Sequence, residues 1–343
     1  MTRRFITSIA AATVVGSALF TPALAARPHA VTSLSGAGST FVYPFFSKAF
    51  DVYKTQKGVS VNYQSIGSGG GIAQFQAKTV DFGASDVPMN PTELAKAGAP
   101  VVQIPVALGG ESIVYNLPGV KTGLHLSPDI IAGMFIGTVT KWNDTSIKKL
   151  NPKVKLPDLQ ITTAHRSDGS GTTYIFTDYL SNVSDQWRGQ VGTGKAVAFP
   201  GGVGGKGNEG VAAAVQQVPG TVGYVELAYA VQNHMKQAML ENRSHKFVAD
   251  SIGTVRSAAS SRSSVNPTHF SIVNAKGANS YPICGYTWAM VYKNQSDSAK
   301  GKALVKLLEW ITTTGQKYAG ALSYVPLPKN IQKLAATSLK TVK

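Results

Sequence analysis

Along residues 59–65, VSVNYQS, apolar and polar side chains alternate with a period of two, the pattern of a strand with one covered face. The chain then enters IGSGGGIAQFQAK, where glycines give way to Ile72, Phe75 and Gln76 about a turn apart, so the period changes to that of a helix. TVDFGASD follows as a short buried strand ending at Asp86, and residues 34–86 thus hold two strand-turn-helix units. Further on, SPDIIAGMFIG predicts a helix with Ser127 as its N-cap and Pro128 in the first helical position. ITTAHR predicts a strand, NEGVAAAVQQV a helix, and TVGYVE and YPICGYTWAMVYK further strands. SAKGKALVKLLEWITTTGQKYAGAL predicts one long amphipathic helix with Leu304, Leu307, Leu308 and Ile311 on one face. Between these elements FPGGVGGKGNEG, residues 199–210, predicts a loop. Strands that alternate with helices over such a length predict an α/β architecture with mainly parallel pairing.

The first residues follow a different pattern. Arg3 and Arg4 precede the short apolar run IAAATVVGSALF, and Ala23-Leu24-Ala25 is an A-x-A cleavage signal, so residues 1–25 read as a signal peptide cleaved after Ala25. No second run of about 18 apolar residues follows it. No cysteine stands directly after the cleavage signal, which removes the usual thioether route to a lipid anchor. At 343 residues the chain exceeds the size at which single cores stop growing, and two domains are expected.

Composition narrows the function classes. The formal charge is +16, and loss of the two arginines at positions 3 and 4 with the leader lowers it to +14. The basic residues are spread singly, without the runs of a nucleic-acid patch, so no nucleic-acid partner is expected. The excess reads as a field that attracts small anions, or as adaptation to an acidic exterior. Cys284 is alone and reads as a small buried hydrophobe in a strand. With one Cys, six His and neither HExxH nor CxxC, no transition-metal site is visible.

Three segments share one design, a strand end, a tight polar turn and a helix N-terminus: GAGSTF at 36–41, IGSGGG at 66–71 and RSDGSGTT at 166–173. Unpaired N–H groups and the positive end of the helix dipole favour anions there, and Ser and Thr add hydroxyl donors. Each alone reads more readily as an ordinary cap; three together, one with Arg166, point to a shared anion site. Asp168 sits among these donors and would repel an anion. A P-loop GxxxxGK[ST] and a nucleophile elbow GxSxG are both absent. A triad assembled from distant residues stays open, with His165 as its candidate base. A secreted phosphoester hydrolase using the same cradle, and an adhesion protein using the basic surface, are the competing classes.

SGAGSTF, NYQSIGSGGGIAQF, TVDFGASDVPM, RSDGSGTTYIFTDYL, VGTGKAV, GGKGNEGVAAAVQQVPGTVGYVE and the YPI strand follow in an order and spacing that resemble the periplasmic phosphate-binding proteins of high-affinity phosphate ABC transporters. The resemblance covers nearly all of the chain after the leader. It implies an α/β type II periplasmic-binding-protein fold, two α/β lobes joined by a two-strand hinge with the ligand cleft between them. The implied lobes are 26–109 with 284–343, and 110–283; the chain would cross near Leu108 to Glu111 and near 280–284. The implied protein is a periplasmic monomer that binds inorganic phosphate and serves the membrane permease subunits of an ABC transporter, without a cofactor and not as an enzyme.

Carried over by position, the family's phosphate contacts fall on Thr40 and on the Phe41 backbone N–H, with Ser39 adjoining, then on Ser68 and on the acceptor carboxylate Asp86. In the third motif they fall on Arg166, Ser170, Gly171 and Thr172, and Asp168 matches the residue that pairs with the arginine. Ser39 and Gly69 replace other small residues of the family, and His165 stands where relatives can carry a second basic residue. Asp86 is the discriminating position. Phosphate carries at least one O–H that can donate to a buried carboxylate, whereas ionised sulfate would meet it as an unpaired charge. A turn-capping role at a strand end is the competing reading of Asp86.

Overall fold

The computed structural model describes residues 1–2, 31–262 and 264–343; apart from its first two residues, the expected signal peptide lies outside them. In chain order run β1 (Ser33–Gly38), α1 (Tyr43–Lys57), β2 (Ser60–Ser65), α2 (Ser68–Gln76), β3 (Phe82–Ser85), α3 (Pro91–Ala97) and β4 (Val101–Tyr115). Then come β5 (His125–Leu126), α4 (Pro128–Ile136), α5 (Thr145–Leu150), β6 (Thr162–Arg166), α6 (Gly171–Val183), α7 (Asp185–Gln190), β7 (Val203–Gly205), α8 (Gly207–Gln217) and β8 (Thr221–Glu226). The chain closes with α9 (Leu227–Gln232), β9 (Lys236–Gln237), β10 (Met239–Glu241), β11 (Phe247–Val248), α10 (Ile252–Ser260), β12 (Cys284–Tyr292), α11 (Ser298–Thr312) and α12 (Lys329–Leu339).

One sheet has the order β2-β1-β3-β12-β4-β8-β6-β7, with β9 also on β4; β11, β10 and β5 form a small second sheet. The α/β class holds, but the expectation of mainly parallel pairing does not. Parallel ladders join β1 to β2 and β3, and β6 to β7 and β8. Every ladder made by β12 and by β4 is antiparallel. Parallel neighbours need a crossover, which α1 supplies between β1 and β2 and α6 and α7 supply between β6 and β7.

The strand β4 has no counterpart in the hydrophobic pattern. Its residues 101–110, except Val106, pair with β12 as far as Gly110↔Cys284, and the rest pair with β8 from Glu111↔Glu226 onward. Pro105 and the Gly109-Gly110 pair look like breakers, yet each fits. The register shifts between Thr287 and Trp288, leaving Val106 as an extra residue beside Pro105, and a bulge is where a sheet tolerates proline. A Cβ on Gly110 would stand 2.0 Å from Asp250 Oδ1, and one on Gly109 2.7 Å from the Phe41 ring. These glycines serve close packing and not a turn.

Two aromatic clusters pack the faces of this sheet. Phe46 lies 4.7 Å from Phe50 and edge-on to Tyr63 at 5.2 Å, all near Phe82. Phe176 lies 4.6 Å from Phe135 and stacks on Tyr224 at 4.3 Å. Truncating a fully buried ring such as Phe46 to Ala costs about 3–5 kcal/mol.

Helix starts agree with the pattern: Ser127 caps α4 by accepting from the Ile130 N–H, with Pro128 first in the helix. The single long helix expected at 298–322 does not form. α11 ends at Thr312, Thr313 leaves the helical region at φ −123°, ψ −89°, and two 3₁₀ turns follow at Thr314–Tyr318 and Gly320–Leu322. The cause is three successive threonines, stiff at χ1, with Thr312 and Thr313 hydroxyls bonding back to Leu308 and Glu309 carbonyls. The stretch 199–210 is likewise not all loop, since Val203–Gly205 adds to the sheet edge beside β6. Cys284 is fully buried on β12. Among the described residues no helix is long and apolar enough to cross a membrane.

Candidate anion-binding site

The three polar turns come together. Gly69 N–H donates to the Gly169 carbonyl at 2.7 Å, which joins the turn before α2 to the turn before α6. Gly67, at φ 84°, makes room for this; a Cβ there would stand 2.1 Å from Asp168 Oδ2. Thr40 is tied to the start of α8, where Asn208 donates from its backbone N–H at 3.2 Å and from Nδ2 at 2.8 Å to Thr40 Oγ1. Two tyrosines fix the same turn by donating to the carbonyls of its residues, Tyr229 to Thr40 at 2.7 Å and Tyr324 to Phe41 at 2.5 Å.

Arg166, 5 % exposed, ends β6 under the N-terminus of α6. Its guanidinium grips Asp168 with two parallel bonds, Nε to Oδ1 at 2.8 Å and Nη2 to Oδ2 at 2.5 Å, while Nη1 donates to Thr172 Oγ1 at 3.2 Å. Two contacts from one fork fix orientation as well as charge. Asp168 also accepts from the Gly207 N–H at 3.1 Å. Burial works against its ionised form, but the Arg166 hydrogen bonds and charge outweigh it and hold its carboxyl below the usual range. Ser170 caps α6 by accepting from Thr173 N–H at 3.0 Å, and its own N–H donates to the Lys195 carbonyl. Tyr224 ties this motif to the core, its hydroxyl accepting from the Arg166 N–H at 3.2 Å and lying 2.7 Å from Thr173 Oγ1.

Asp86 follows β3 and faces the same place. It is 2 % exposed and accepts from Ser39 Oγ at 2.5 Å and Thr287 Oγ1 at 2.7 Å, both on Oδ1. Oδ2 meets Ser68 Oγ at 3.4 Å. A Cβ on Gly171 would stand 2.6 Å from Asp86 Oδ2 and from Ser68 Oγ, so only glycine lets the first turn of α6 approach the carboxyl. Burial pushes the Asp86 carboxyl up to about 6, held back by the Ser39 and Thr287 hydrogen bonds, the Arg166 charge and Ser68.

The structure therefore gathers Ser39, Thr40, Phe41, Ser68, Asp86, Arg166, Asp168, Ser170, Gly171 and Thr172 around one buried point. Ser39 is turned to Asp86 as well as adjoining Thr40. His165 stands apart: its ring stacks on Phe199 at 4.3 Å, and Nδ1 lies 3.1 Å from the Arg166 carbonyl oxygen. That is a packed strand residue and not the base of a triad.

Sequence reasoning missed four features. Asn208 bridges Thr40 and Thr172, and Thr287 supports Asp86. Lys195 forms an ion pair with Glu93, both side chains mostly buried, and Glu93 is already oriented by the Asn90 capping box of α3. Finally, where β4 passes from β12 to β8, Glu111 faces Glu226 in register and the Asp250 carboxyl lies against Gly110. Burial pushes Glu111 and Glu226 up and Asp250 up to about 7. None of these three is near another in sequence, and no single-chain pattern marks them.

Helix N-termini, an oriented arginine and a buried carboxyl, brought together in an α/β sheet threaded by two long strands, have the make-up of a solute-binding protein. A family model described as the PBP superfamily domain matches residues 23–314. A relative named phosphate-binding protein PstS, from Xylella fastidiosa strain Temecula1, is 46% identical over 316 residues, covering 91% of this chain and 86% of its own. Its namesake from Pasteurella multocida strain Pm70 is 43% identical over 308 residues, covering 89% of each. The chain belongs to the family of PstS phosphate-binding proteins within that superfamily. Among solved structures, the high-affinity periplasmic phosphate-binding protein PfluDING bound with phosphate at pH 8.5 has a TM-score of 0.72 at 19% identity, covering 89% of this chain and 93% of that one. At that identity the likeness carries the fold alone.

Proposed function

We propose that the chain is an exported solute-binding protein that captures inorganic phosphate and delivers it to the permease of an ABC transporter. Family membership supports this, and one observation carries it: donors from three helix N-termini and an oriented Arg166 converge on the buried acceptor Asp86. The phosphate contacts in this reading are Thr40, Phe41 N–H, Ser68, Asp86, Arg166, Ser170, Gly171 and Thr172, with Ser39 adjoining. Asp168 orients the arginine and offsets its charge while the recess is empty of ligand.

In the same reading residues 26–109 with 284–343 form one lobe and 110–283 the other, joined where β4 and β12 run past Gly110 and Cys284. Closing the lobes excludes water, so charge-assisted hydrogen bonds form without competition. The contacts of Thr40 with Asn208 and of Glu93 with Lys195 are then those that cross the cleft between the lobes. Binding and release, and not turnover, is the chemistry; residues 1–25 serve as the leader, cleaved after Ala25, and the periplasm is the compartment.

Titration calorimetry with phosphate and sulfate tests the proposal. Saturable phosphate binding at one site is expected, with sulfate far weaker, and Asp86→Asn is expected to erase most of the difference, up to about 10⁴-fold in sites that lose a buried hydrogen-bond partner. An unchanged ratio in the variant would remove Asp86 as the acceptor, and phosphomonoester turnover by the wild type would replace transport with hydrolysis.

A further inference from the structure

Asp86 is unevenly served. Ser39, from the turn after β1, and Thr287, from β12, both donate to Oδ1, at 2.5 and 2.7 Å. Oδ2 meets the Ser68 hydroxyl at 3.4 Å, beyond a good O–H···O distance, and faces the glycine that opens α6. Two short bonds hold one carboxyl oxygen, and the other is turned to the recess.

We infer that Thr287, acting with Ser39, is a positioning residue that occupies Asp86 Oδ1, keeps Oδ2 free as the acceptor, and so sets how well the site tells phosphate from sulfate. The inference rests on the phosphate reading above and adds a determinant that touches Asp86 and not the anion. The physical reason is direct. A carboxylate that accepts hydroxyl hydrogen bonds is stabilised in its charged form. An ionised Asp86 takes the phosphate O–H and repels sulfate; a protonated Asp86 offers sulfate an O–H of its own.

The competition in this pocket makes two hydroxyls matter. Burial favours the neutral acid, and Ser39 and Thr287 are the largest influences opposing it, ahead of the Arg166 charge. The other titratable groups that feel Asp86 are Glu111 from β4, Glu226 from β8, Tyr63 from β2 and Tyr324. Burial raises all four, favouring their neutral forms, which leaves Arg166, paired with Asp168, as the fixed charge on this side.

The test is the phosphate-to-sulfate affinity ratio of the purified chain from pH 4.5 to 8.5, measured by calorimetry for wild type, Thr287→Val and Thr287→Ser. Comparing ratios between variants cancels the titration of the ligands themselves. Losing one hydroxyl is expected to move the fall of the ratio about one pH unit higher, so that near pH 6 the valine variant discriminates about tenfold less well. The two curves converge above pH 8, and serine restores the wild-type curve. If the valine variant does not fold, Ser39→Ala removes the other donor to the same oxygen and is expected to shift the curve the same way. Superimposable curves overturn the inference, as does a uniform loss of phosphate affinity at every pH without a shift. A wild type that shows no preference for phosphate overturns the phosphate reading itself, and the role of Thr287 with it.

Discussion

The buried carboxyl of Asp250 contributes a pH dependence of stability opposite in sign to that of a carboxylate held ionised in the fold. Asp250 accepts from Ser112 Oγ at 2.8 Å through Oδ2, while Oδ1 is buried without a hydrogen-bond partner. Burial moves its pKa from an ordinary 3.8 to about 7. Between those values the folded chain keeps a proton that the unfolded chain has lost. The folded state therefore binds more protons, and stability falls by about 1.4 kcal/mol for each unit that pH rises, then levels off above about pH 7. Over the full interval the loss is about 4 kcal/mol for this one side chain. Asp250→Asn keeps the shape and an acceptor for Ser112 but cannot ionise. Urea unfolding of both proteins at pH 4.5 and 7.5 measures the effect: relative to wild type, the variant should gain about 3 kcal/mol between the two pH values. If the difference in unfolding free energy is the same at both, to within about 0.5 kcal/mol, the carboxyl is not held neutral and the reasoning fails.

Two further outcomes follow from the site. Asp168→Ala frees the Arg166 fork and leaves its charge unbalanced; phosphate affinity by calorimetry is expected to fall about tenfold, the worth of one oriented charge-assisted contact, and wild-type affinity with an equally ordered Arg166 would show that the pairing is idle. Lys195→Met removes an ion pair proposed to form only when the lobes meet, so apparent phosphate affinity should fall several-fold while the thermal midpoint of the ligand-free protein stays within a degree or two. Equal destabilisation of the ligand-free protein would mean that the pair is present in the open form as well.

How much of this could be read from the chain depends on where the information lies. Local chemistry was legible: Ser127 and Pro128 announce a helix start, VSVNYQS a strand, and the Ser/Thr/Gly turns their helix N-termini. The gathering of Arg166, Asp86 and Ser68 was anticipated from three polar turns of one design, one of them with an arginine, and from the family resemblance; that β3 and β6 run in opposite directions, so that their carboxyl ends approach from two sides, was not. Whatever depends on pairing between distant residues was not legible. β4 is hidden by Pro105 and two glycines whose roles are set by a bulge, Phe41 and Asp250. Thr287 is an ordinary strand residue until Asp86, 201 positions earlier, is laid beside it. The break after Thr312 shows a local rule losing to another: apolar periodicity continues, but three threonines and the close approach of Gly315 to Trp310 stop the helix.

Cys284 gives the molecule a practical use. It is the only cysteine in the sequence, it is fully buried at the crossing of β12 with β4, and burial raises its thiol well above the ordinary range. Thiol reagents need a thiolate and access, and Cys284 offers neither. A single cysteine introduced on the rim, beside Glu93 or Lys195, would therefore carry a fluorescent label without removal of the native one. The labelled chain would report the proposed closure as a change in emission, turning the protein into an optical gauge for its own ligand.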